Sequence, residues 1–351
     1  MNLKNPQKII KFIMTIVLFQ TSYSQDNPRI LVEQKQVIWG LDLLAGGDLV
    51  YGLKSGEIYK YHKKTKKSEL LYRQEVVKRG QGGLLDIRFH QGDLYYCASV
   101  GALKGAVVAL FKTKLAKTIK PKVIFKARTK GNTGRHFGCR IEFDKQSLFL
   151  SLGDRGRRQY VQNTTNHNGK VLRLDLEGKA FSQNIAVRKP EWANEIYSYG
   201  HRNPQGLAFH PWTGELWLSE FGPKGGDEVN IINEGLNYGW PLATYGREYS
   251  GEKIAGPHKE GTVGPFHYWD PSISPSGIAF YKKGKRVFLL LAGLSSRKIT
   301  VLELKENKVV VEKTLFSDLG ERFRTLRVDG PRLFFSTDSG RIYSVDDLGK
   351  L

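Results

Sequence analysis

The sequence predicts an all-β protein built as a six-bladed β-propeller. Three observations lead to this fold class. A pair of strand-like segments recurs six times, apolar and polar residues alternate within the segments, and helical periodicity is almost absent. The chain also contains 38 glycines among 351 residues, about 11% against a typical ~7%. This composition favours many short strands joined by tight turns.

The recurring unit consists of two consecutive apolar strands, each opened by a glycine or a polar turn. The first strands are predicted at 47–51, 92–96, 146–150, 214–218, 285–289 and 331–335. The second strands are predicted at 56–60, 105–109, 169–173, 227–231, 298–302 and 340–344. Successive copies lie about 45 to 70 residues apart, which fits one propeller blade per copy.

Loops of a propeller gather at the mouth of its central channel, where a site would form. The longest segments between repeats are 110–145, 178–213 and 236–285. We therefore expect these segments to carry the chemistry. Within the last of them, aromatic residues could stack against a sugar ring. These are Tyr245, Tyr268 and Trp269.

Residues 1–24 have the pattern of a secretory signal peptide, so residues 25–351 are predicted to be the mature single-domain propeller. A basic segment precedes a short apolar stretch, 12–19, and small residues follow. The basic residues are Lys4, Lys8 and Lys11, and the small ones are Ser22 and Ser24. An N-terminal anchor helix is the weaker alternative because the apolar run is short of the ~20 residues that span a bilayer. We expect a periplasmic or secreted protein with no transmembrane span.

The formal net charge of the chain is +21, and about +18 without the three lysines of the predicted signal peptide. A charge of this size is typical of nucleic-acid-binding proteins. An exported protein rarely meets nucleic acid, so we expect no nucleic-acid partner. Contact with anionic cell-surface polymers explains the charge better. The two cysteines, Cys97 and Cys139, lie in apolar strand-like contexts, and the sequence leaves their pairing open.

Common nucleotide, zinc-protease and serine-hydrolase motifs are missing from the sequence. Polar, glycine-rich loops are present instead, and they offer three kinds of chemistry. Four arginines could form bidentate hydrogen bonds with a ligand that carries several carboxylates: Arg157, Arg202, Arg322 and Arg324. Segments 222–223 and 227–228 supply the oxygen ligands that Ca²⁺ prefers. His136, between Gly134 and Gly138, could act as an accessible general base.

Two stretches, residues 200–206 (GHRNPQG) and residues 230–241, which end in NYGWP, carry a resemblance to a known family. The chain resembles the glucose/sorbosone dehydrogenases, soluble sugar dehydrogenases that use pyrroloquinoline quinone (PQQ), and is more similar to their aldose sugar dehydrogenase branch. The resemblance runs from about residue 35 to the C-terminus. It implies a six-bladed propeller, in agreement with the repeat count.

The resemblance implies a role for each matching residue. It makes His136 the base that takes the proton of the anomeric hydroxyl, and Arg202 a stabiliser of charge on the reduced cofactor. It places the following residues around PQQ and the sugar: Gln81, Gln159, Arg202, Asn203, Tyr249, Gly293, Leu294, Ser295, Arg322, Phe323 and Arg324. It implies Ca²⁺ ligands at the carbonyls of Gly222 and Pro223, and a second, structural calcium at Glu228 and the carbonyl of Tyr238.

Three positions depart from the family pattern. Ser295 stands where the family places a PQQ-binding lysine, although Arg297 is close in sequence. Arg135 replaces an acidic residue that precedes the catalytic histidine in the glucose dehydrogenase branch. Cys139 replaces a small residue beside Arg140.

The sequence thus predicts an exported PQQ- and Ca²⁺-dependent aldose dehydrogenase that oxidises the anomeric carbon of a sugar to a lactone and passes electrons to a dissociable acceptor. One alternative is a non-enzymatic propeller that binds glycan or a protein partner. Another is a Ca²⁺-dependent lactonase, which is disfavoured because these loops are rich in Arg and Gln rather than in Asp, Glu and Asn ligands.

Overall fold

The computed structural model describes residues 27–306 and 308–351, and within them the chain forms six four-stranded antiparallel sheets. The sheets are arranged as the six blades of a β-propeller, as predicted. The predicted signal peptide, residues 1–24, lies outside the described residues.

The strands are numbered in chain order, and each blade is given from the channel outwards. Blade 1 contains β2 (Ile38–Leu43), β3 (Leu49–Leu53), β4 (Glu57–His62) and β5 (Lys67–Arg73). Blade 2 contains β6 (Leu84–His90), β7 (Asp93–Val100), β8 (Val107–Lys114) and β9 (Lys122–Lys126). Blade 3 contains β10 (Gly138–Phe143), β11 (Leu148–Leu152), β12 (Lys170–Leu174) and β13 (Ile196–Tyr199). Blade 4 contains β14 (Pro204–Phe209), β15 (Leu216–Glu220), β16 (Asp227–Ile232) and β17 (His267–Trp269).

Blade 5 contains β18 (Pro275–Lys283), β19 (Arg286–Gly293), β20 (Ile299–Lys305) and β21 (Lys308–Leu315). Blade 6 contains β22 (Phe323–Asp329), β23 (Arg332–Thr337) and β24 (Arg341–Val345), and its outer strand is β1 (Arg29–Glu33). The outer strand of the last blade therefore comes from the start of the described chain. This pairing of β1 with β24 ties the two ends of the ring together.

The predicted repeats are the two middle strands of each blade. The second strand of a blade lies between neighbouring blades and is apolar on both faces; β3, β11 and β15 are buried at every residue. The outermost strands face solvent on much of their surface, as β5 and β21 show. The main apolar clusters lie between blades, so burial between blades provides the hydrophobic stabilisation of the ring.

Every inner strand carries an irregularity in its pairing with the second strand, close to its first residue. In blade 3 the shift lies between Gly138 and Ile141, and in blade 4 between Pro204 and Gly206. A β-bulge bends its strand and turns side chains to new directions. The six bulges therefore aim residues at the channel axis near one mouth.

Arg140, on the bulge of blade 3, joins these inner strands across the channel. Its guanidinium donates to the Gln205 carbonyl of blade 4 at 2.6 Å and to Ser276 Oγ of blade 5 at 3.2 Å. It also donates to Thr325 Oγ1 of blade 6 at 3.2 Å and contacts Asp86 of blade 2 at 3.4 Å. Thr325 in turn donates to a carbonyl of blade 1. One buried side chain thus joins its own blade 3 to four other blades directly and to blade 1 through one hydroxyl.

Below Arg140 the channel is filled by ion pairs. Arg88 pairs with Asp42 at 3.1 Å and with Glu142 at 2.7 Å, while Arg327 pairs with Asp42 at 2.9 Å. Burial opposes the charged form of Asp42, but the two arginines outweigh it and hold the pKa of this carboxyl below its usual value. The lower channel therefore carries matched, largely buried charges.

Cys97 on β7 and Cys139 on β10 form a disulfide, with Cα atoms 6.3 Å apart. The sequence left open whether these two cysteines pair, and the structure shows that they do. The disulfide joins blade 2 to blade 3 next to Arg140. Within the described residues we find no helix of the length and apolarity needed to span a bilayer. The described part of the chain also contains four short 3₁₀ turns, at Ala45–Gly47, Arg158–Tyr160, Ile185–Arg188 and Ser317–Leu319.

Replacing Arg140 by alanine should destabilise the propeller by about 3–5 kcal/mol, because buried acceptors on four blades lose a charged donor at once. Urea unfolding measures this free energy. The matched control is Arg188→Ala, an exposed arginine on the opposite side of blade 3, where a change within about 0.5 kcal/mol is expected. A loss below about 1 kcal/mol for Arg140→Ala would show that the bulges hold together without it.

Candidate functional site

The predicted site residues meet at the mouth where the six inner strands begin. His136 precedes β10, Asn203 precedes β14 and Arg322 precedes β22. The segment around Gly222 joins β15 to β16 at the same end of blade 4. Residues far apart in sequence therefore line one opening, because all inner strands run in the same direction along the channel.

His136 is held in place from three sides. Its backbone lies in the left-handed region, with φ of 51°, which is uncommon for residues other than glycine. Its backbone N–H donates to Gln81 Oε1 at 2.6 Å, and its carbonyl accepts from the Arg155 N–H at 3.2 Å. Its ring nitrogen Nδ1 lies 2.7 Å from Asp154 Oδ1. Gln81, predicted to line the site, acts here by fixing the backbone of His136.

Asp154 is almost completely buried and fixes the ring of His136. Its Oδ1 also accepts from the Gly156 N–H at 2.6 Å, and its Oδ2 accepts from Trp240 Nε1 at 2.9 Å. Burial alone would raise the pKa of Asp154, but the hydrogen bond and charge of His136 and the charge of Arg202 bring it below its usual value. The ionised carboxylate accepts the Nδ1 proton, so the lone pair of His136 lies on Nε2.

The pKa of His136 is lowered mainly by burial. Asp154 acts in the opposite direction, and the positive charges of Arg202 and Arg135 lower the pKa further. The imidazole is therefore neutral at neutral pH, which is the state that a proton acceptor requires.

Arg202 connects the histidine to the loop of blade 4. Its backbone N–H donates to Glu220 Oε2 at 2.7 Å, and its carbonyl accepts from the Asp154 N–H at 2.8 Å. Its Nη1 donates to the Gly222 carbonyl at 2.6 Å. The neighbouring Asn203 is buried, and its Oδ1 accepts from Gln205 Nε2 at 3.2 Å. Because Gln205 also bonds to Arg140, the channel network extends to the mouth.

The segment with the predicted calcium ligands Gly222 and Pro223 is fixed by Asp227. Asp227 Oδ1 accepts from the Gly222 N–H at 2.9 Å and its Oδ2 accepts from the Ser274 N–H at 2.7 Å. Burial raises the pKa of Asp227 to about 6 despite these two bonds. The loop is thus braced against blade 5.

The structure brings Arg202, Gly222, Glu228 and Tyr238 together around one small cavity, which Glu220 also lines. Burial and the charge of Glu220 raise the pKa of Glu228. A buried Asn230 amide bonds both carboxylates at 3.2 Å, and its Oδ1 has no partner. Closely placed buried carboxylate and carbonyl oxygens suit a hard cation such as Ca²⁺. Within the described residues no group of three His, Cys, Asp or Glu side chains has metal-binding geometry.

Arg322 and Arg324 lie together at the blade 6 side of the mouth. Arg322 Nε donates to Asp338 Oδ2 at 2.9 Å, and Arg324 Nη2 donates to Asp338 Oδ1 at 2.7 Å. The guanidinium of Arg324 also lies 4.0 Å from the centre of the Trp39 ring. Two arginines share one carboxylate, so this corner keeps a positive charge that suits a ligand with several carboxylates.

The remaining predicted residues contribute less to this arrangement. Phe323 is fully buried, and its side chain packs in the apolar cluster of blades 5 and 6. Gly293 and Leu294 are buried main-chain neighbours of Arg322, which donates to the Leu294 carbonyl. Ser295, Gln159 and Tyr249 are exposed, and the Tyr249 ring is 70% accessible to solvent. Arg297 donates to the Gly320 carbonyl at 3.3 Å.

Sequence reasoning missed Asp154, Trp240 and Glu220 as parts of the site. Asp154 lies within the glycine-rich stretch 153–159, and Trp240 within NYGWP, so both were inside motifs that had been recognised. Their roles depend on long-range contacts: Asp154 bonds His136, 18 residues away, and Trp240 bonds Asp154, 86 residues away. The sequence offers no spacing rule for such contacts.

Known proteins are similar to this chain in sequence and fold over about nine-tenths of its length. The chain is 35% identical over 343 residues to aldose sugar dehydrogenase YliI of Escherichia coli (strain K12), covering 91% of this chain and 92% of that protein. A solved structure of a glucose dehydrogenase superposes with a TM-score of 0.86 at 35% identity, covering 91% of this chain and 99% of that one.

A PQQ-bound structure of an aldose sugar dehydrogenase from Streptomyces coelicolor superposes with a TM-score of 0.77 at 27% identity, covering 90% of this chain and 96% of that one. The family model for glucose/sorbosone dehydrogenases matches residues 35–344. Its span includes every site residue described above. The chain therefore belongs to the glucose/sorbosone dehydrogenase family.

Proposed function

We propose that this chain is a PQQ- and Ca²⁺-dependent aldose dehydrogenase that oxidises the anomeric carbon of a sugar to a lactone. The observation that carries the proposal is the His136–Asp154 pair at the channel mouth. A buried carboxylate fixes a neutral imidazole and directs its free nitrogen away from that carboxylate. The names of the relatives and the PQQ-bound neighbour support the same chemistry.

The proton step belongs to His136. Nε2 accepts the proton of the anomeric hydroxyl, and Asp154 stabilises the imidazolium that forms because it already holds Nδ1–H. When bound, the quinone supplies the two-electron oxidant that takes the anomeric hydrogen as hydride. Arg202, fixed through Glu220, places a positive charge near His136 where negative charge develops.

The cofactor would be held mainly by arginines. Arg322 and Arg324 would pair with its carboxylates, with Arg297 in reach of the position where the family has lysine. Asn203 and Arg202 would contact the quinone oxygens. The predicted contacts of Gln159 and Tyr249, both exposed side chains, stay part of this proposal.

Calcium would occupy two places near blade 4. The carbonyls of Gly222 and Pro223 would hold one ion, and Glu228 with the Tyr238 carbonyl would hold the other. The second place has the stronger support, because Glu228 lies beside Glu220 in a buried cavity and a cation there would compensate the charge of both carboxylates. At the first place the Gly222 carbonyl accepts from Arg202, so the ion would share that oxygen with the guanidinium.

The sequence also bears on where the reaction takes place and where its electrons go. We propose export to the periplasm or the medium, directed by residues 1–24, and transfer of electrons to a dissociable acceptor. Contact of the basic surface with anionic cell-surface polymers belongs to the same proposal, since the net charge is +21.

Reconstitution of the purified chain with PQQ and Ca²⁺ should produce dye reduction in the presence of aldoses. His136→Ala should lower kcat by ~10²–10⁴ because the positioned base is lost. PQQ titration should be nearly unaffected. The control is His62→Ala, at the far end of blade 1, which should keep full activity. Near-normal turnover in His136→Ala would disprove the role of His136 as the base. Absence of any PQQ binding by the unmodified chain would favour a non-enzymatic propeller that binds glycan or a protein partner.

The midpoint of the acid limb of the pH–rate profile should lie at a pH below the ordinary histidine pKa of ~6.5. The rate needs neutral His136, so it falls as the pH drops through this pKa, which burial lowers. Asp154→Asn removes an interaction that raises the pKa. The acid limb should therefore move to still lower pH while kcat falls. Reduced kcat with an unmoved limb would mean that Asp154 has only a structural role.

Arg322→Gln should weaken PQQ binding about 10- to 100-fold, which corresponds to one charge-assisted hydrogen bond of about 1.5–3 kcal/mol. Titration of the apoprotein with PQQ measures the change. Arg332→Gln is the matched control, because Arg332 is paired with Asp329 on β22 away from the mouth. Equal affinity for both variants would place the cofactor elsewhere.

A further inference from the structure

Four arginines surround the segment that carries His136, and the proposed reaction uses none of them. Arg79 and Arg157 bind the same residue, Asn132. Arg79 Nη1 donates to its carbonyl at 2.5 Å, and Arg157 Nη2 donates to its Oδ1 at 3.0 Å. Two guanidinium groups are therefore held close together by one neutral residue.

The other two arginines belong to the same segment. Arg135 immediately precedes His136, is exposed, and is near enough for its charge to act on the imidazole. Arg155 is 1% exposed, lies 3.4 Å from the centre of the Phe137 ring, and donates to the Arg135 and Thr133 carbonyls. The buried Nε of Arg155 has no partner.

These four arginines are not neutralised. Among the described residues, their hydrogen bonds go to carbonyl and amide oxygens, and none of them forms an ion pair with a carboxylate. Asp154, the nearest buried acid, is engaged by His136.

Other arginines at this mouth differ. Arg158 pairs with Glu248 at 2.5 Å, and Arg322 and Arg324 share Asp338. The unpaired positive charge is therefore concentrated around the base, on its blade 2 and blade 3 side.

From this placement we propose that the substrate is an aldose that carries a carboxylate, a uronic acid, whose anionic group binds at Arg135 and Arg157. The inference rests on the proposed function and names its substrate class. Guanidinium groups without acidic partners are strong sites for a carboxylate, since a charge-assisted and bidentate bond can form. The carboxylate fixes the ring so that the anomeric hydroxyl faces Nε2 of His136.

The chemistry of the step is unchanged by the added group. The anomeric C–H leaves as hydride to the quinone, the hydroxyl proton passes to His136, and the anomeric carbon becomes the lactone carbonyl. The carboxylate of the sugar is neither oxidised nor protonated. The product is the lactone of an aldaric acid.

A carboxylate at these arginines could also come from the quinone cofactor itself. The two sources differ in what the arginines control. If they bind the sugar, they set the ratio of kcat/KM between acidic and neutral sugars. If they bind the cofactor, they set PQQ affinity and leave that ratio unchanged.

The experiment compares glucuronate with glucose, and galacturonate with galactose, in the reconstituted enzyme at about pH 8, where His136 is neutral in every variant. We expect kcat/KM to be about 10- to 100-fold higher for each acid, the range of one charge-assisted hydrogen bond. The preference should shrink at high salt. In Arg135→Gln/Arg157→Gln the ratio should approach 1, and in the control Arg188→Gln, on the opposite side of blade 3, it should persist.

Calorimetric titration of glucuronate into the PQQ-loaded His136→Ala protein provides a second readout, because this variant should bind the sugar without rapid turnover. Binding that is seen in His136→Ala and lost when Arg135→Gln and Arg157→Gln are added supports the proposal. Oxidation of neutral aldoses with no preference for uronic acids would overturn it and leave the proposed function intact. An unchanged preference in the double variant, or a loss of PQQ affinity that lowers both sugar classes equally, would also overturn it. Absence of both glucuronate binding and turnover of any aldose would overturn the inference together with the proposed function.

Discussion

The site depends on Arg140, the side chain at which the inner strands of the propeller meet. A propeller has no single shared core: each blade packs only on its neighbours, and the inner strands face a channel. The bulge at the start of each inner strand turns polar groups inwards, and Arg140 supplies the donors that satisfy them. The same bulges position residues of the site. Gln205 Nε2 donates to Asn203 Oδ1, and Thr325, which accepts from Arg140, directly follows Arg324. The position of one buried cation thus fixes where the mouth residues can lie.

Charge is distributed unequally along the channel. In the lower part, Arg88 and Arg327 are matched by Asp42 and Glu142, so the buried charges are paired. At the mouth, arginines outnumber carboxylates, and Asp338 serves two of them. Because desolvated surroundings strengthen Coulomb interactions, the mouth can bind anions strongly. The proposed cofactor carries several carboxylates and the proposed substrate carries one, so both would be attracted by this excess of arginines.

The sequence revealed the parts of the fold that repeat and concealed those that do not. Second strands such as β11 are apolar on both faces because they lie between blades, so their pattern recurs and the blade count could be derived. Outer strands such as β21 are mostly exposed and lack a regular alternation of apolar and polar residues. The use of β1 in the last blade depends on ring closure. The same distinction applies to individual side chains. His136 could be identified because it lies between glycines in the sequence, whereas Asp154 acts through a contact that exists only in the folded blade.

Glu220 links the proposed metal cavity to the proposed redox side of the site. Its Oε2 accepts the Arg202 N–H, and its Oε1 accepts from His201 and from the same Asn230 amide that holds Glu228. Two buried carboxylates beside one another are costly unless a proton or a cation compensates them. A cation in this cavity would allow Glu228 to ionise next to Glu220. The charge state of Glu228 is thereby coupled to Glu220, which fixes the backbone of Arg202. The Arg202 carbonyl accepts from the Asp154 N–H, so the coupling extends to Asp154 and to the base, His136.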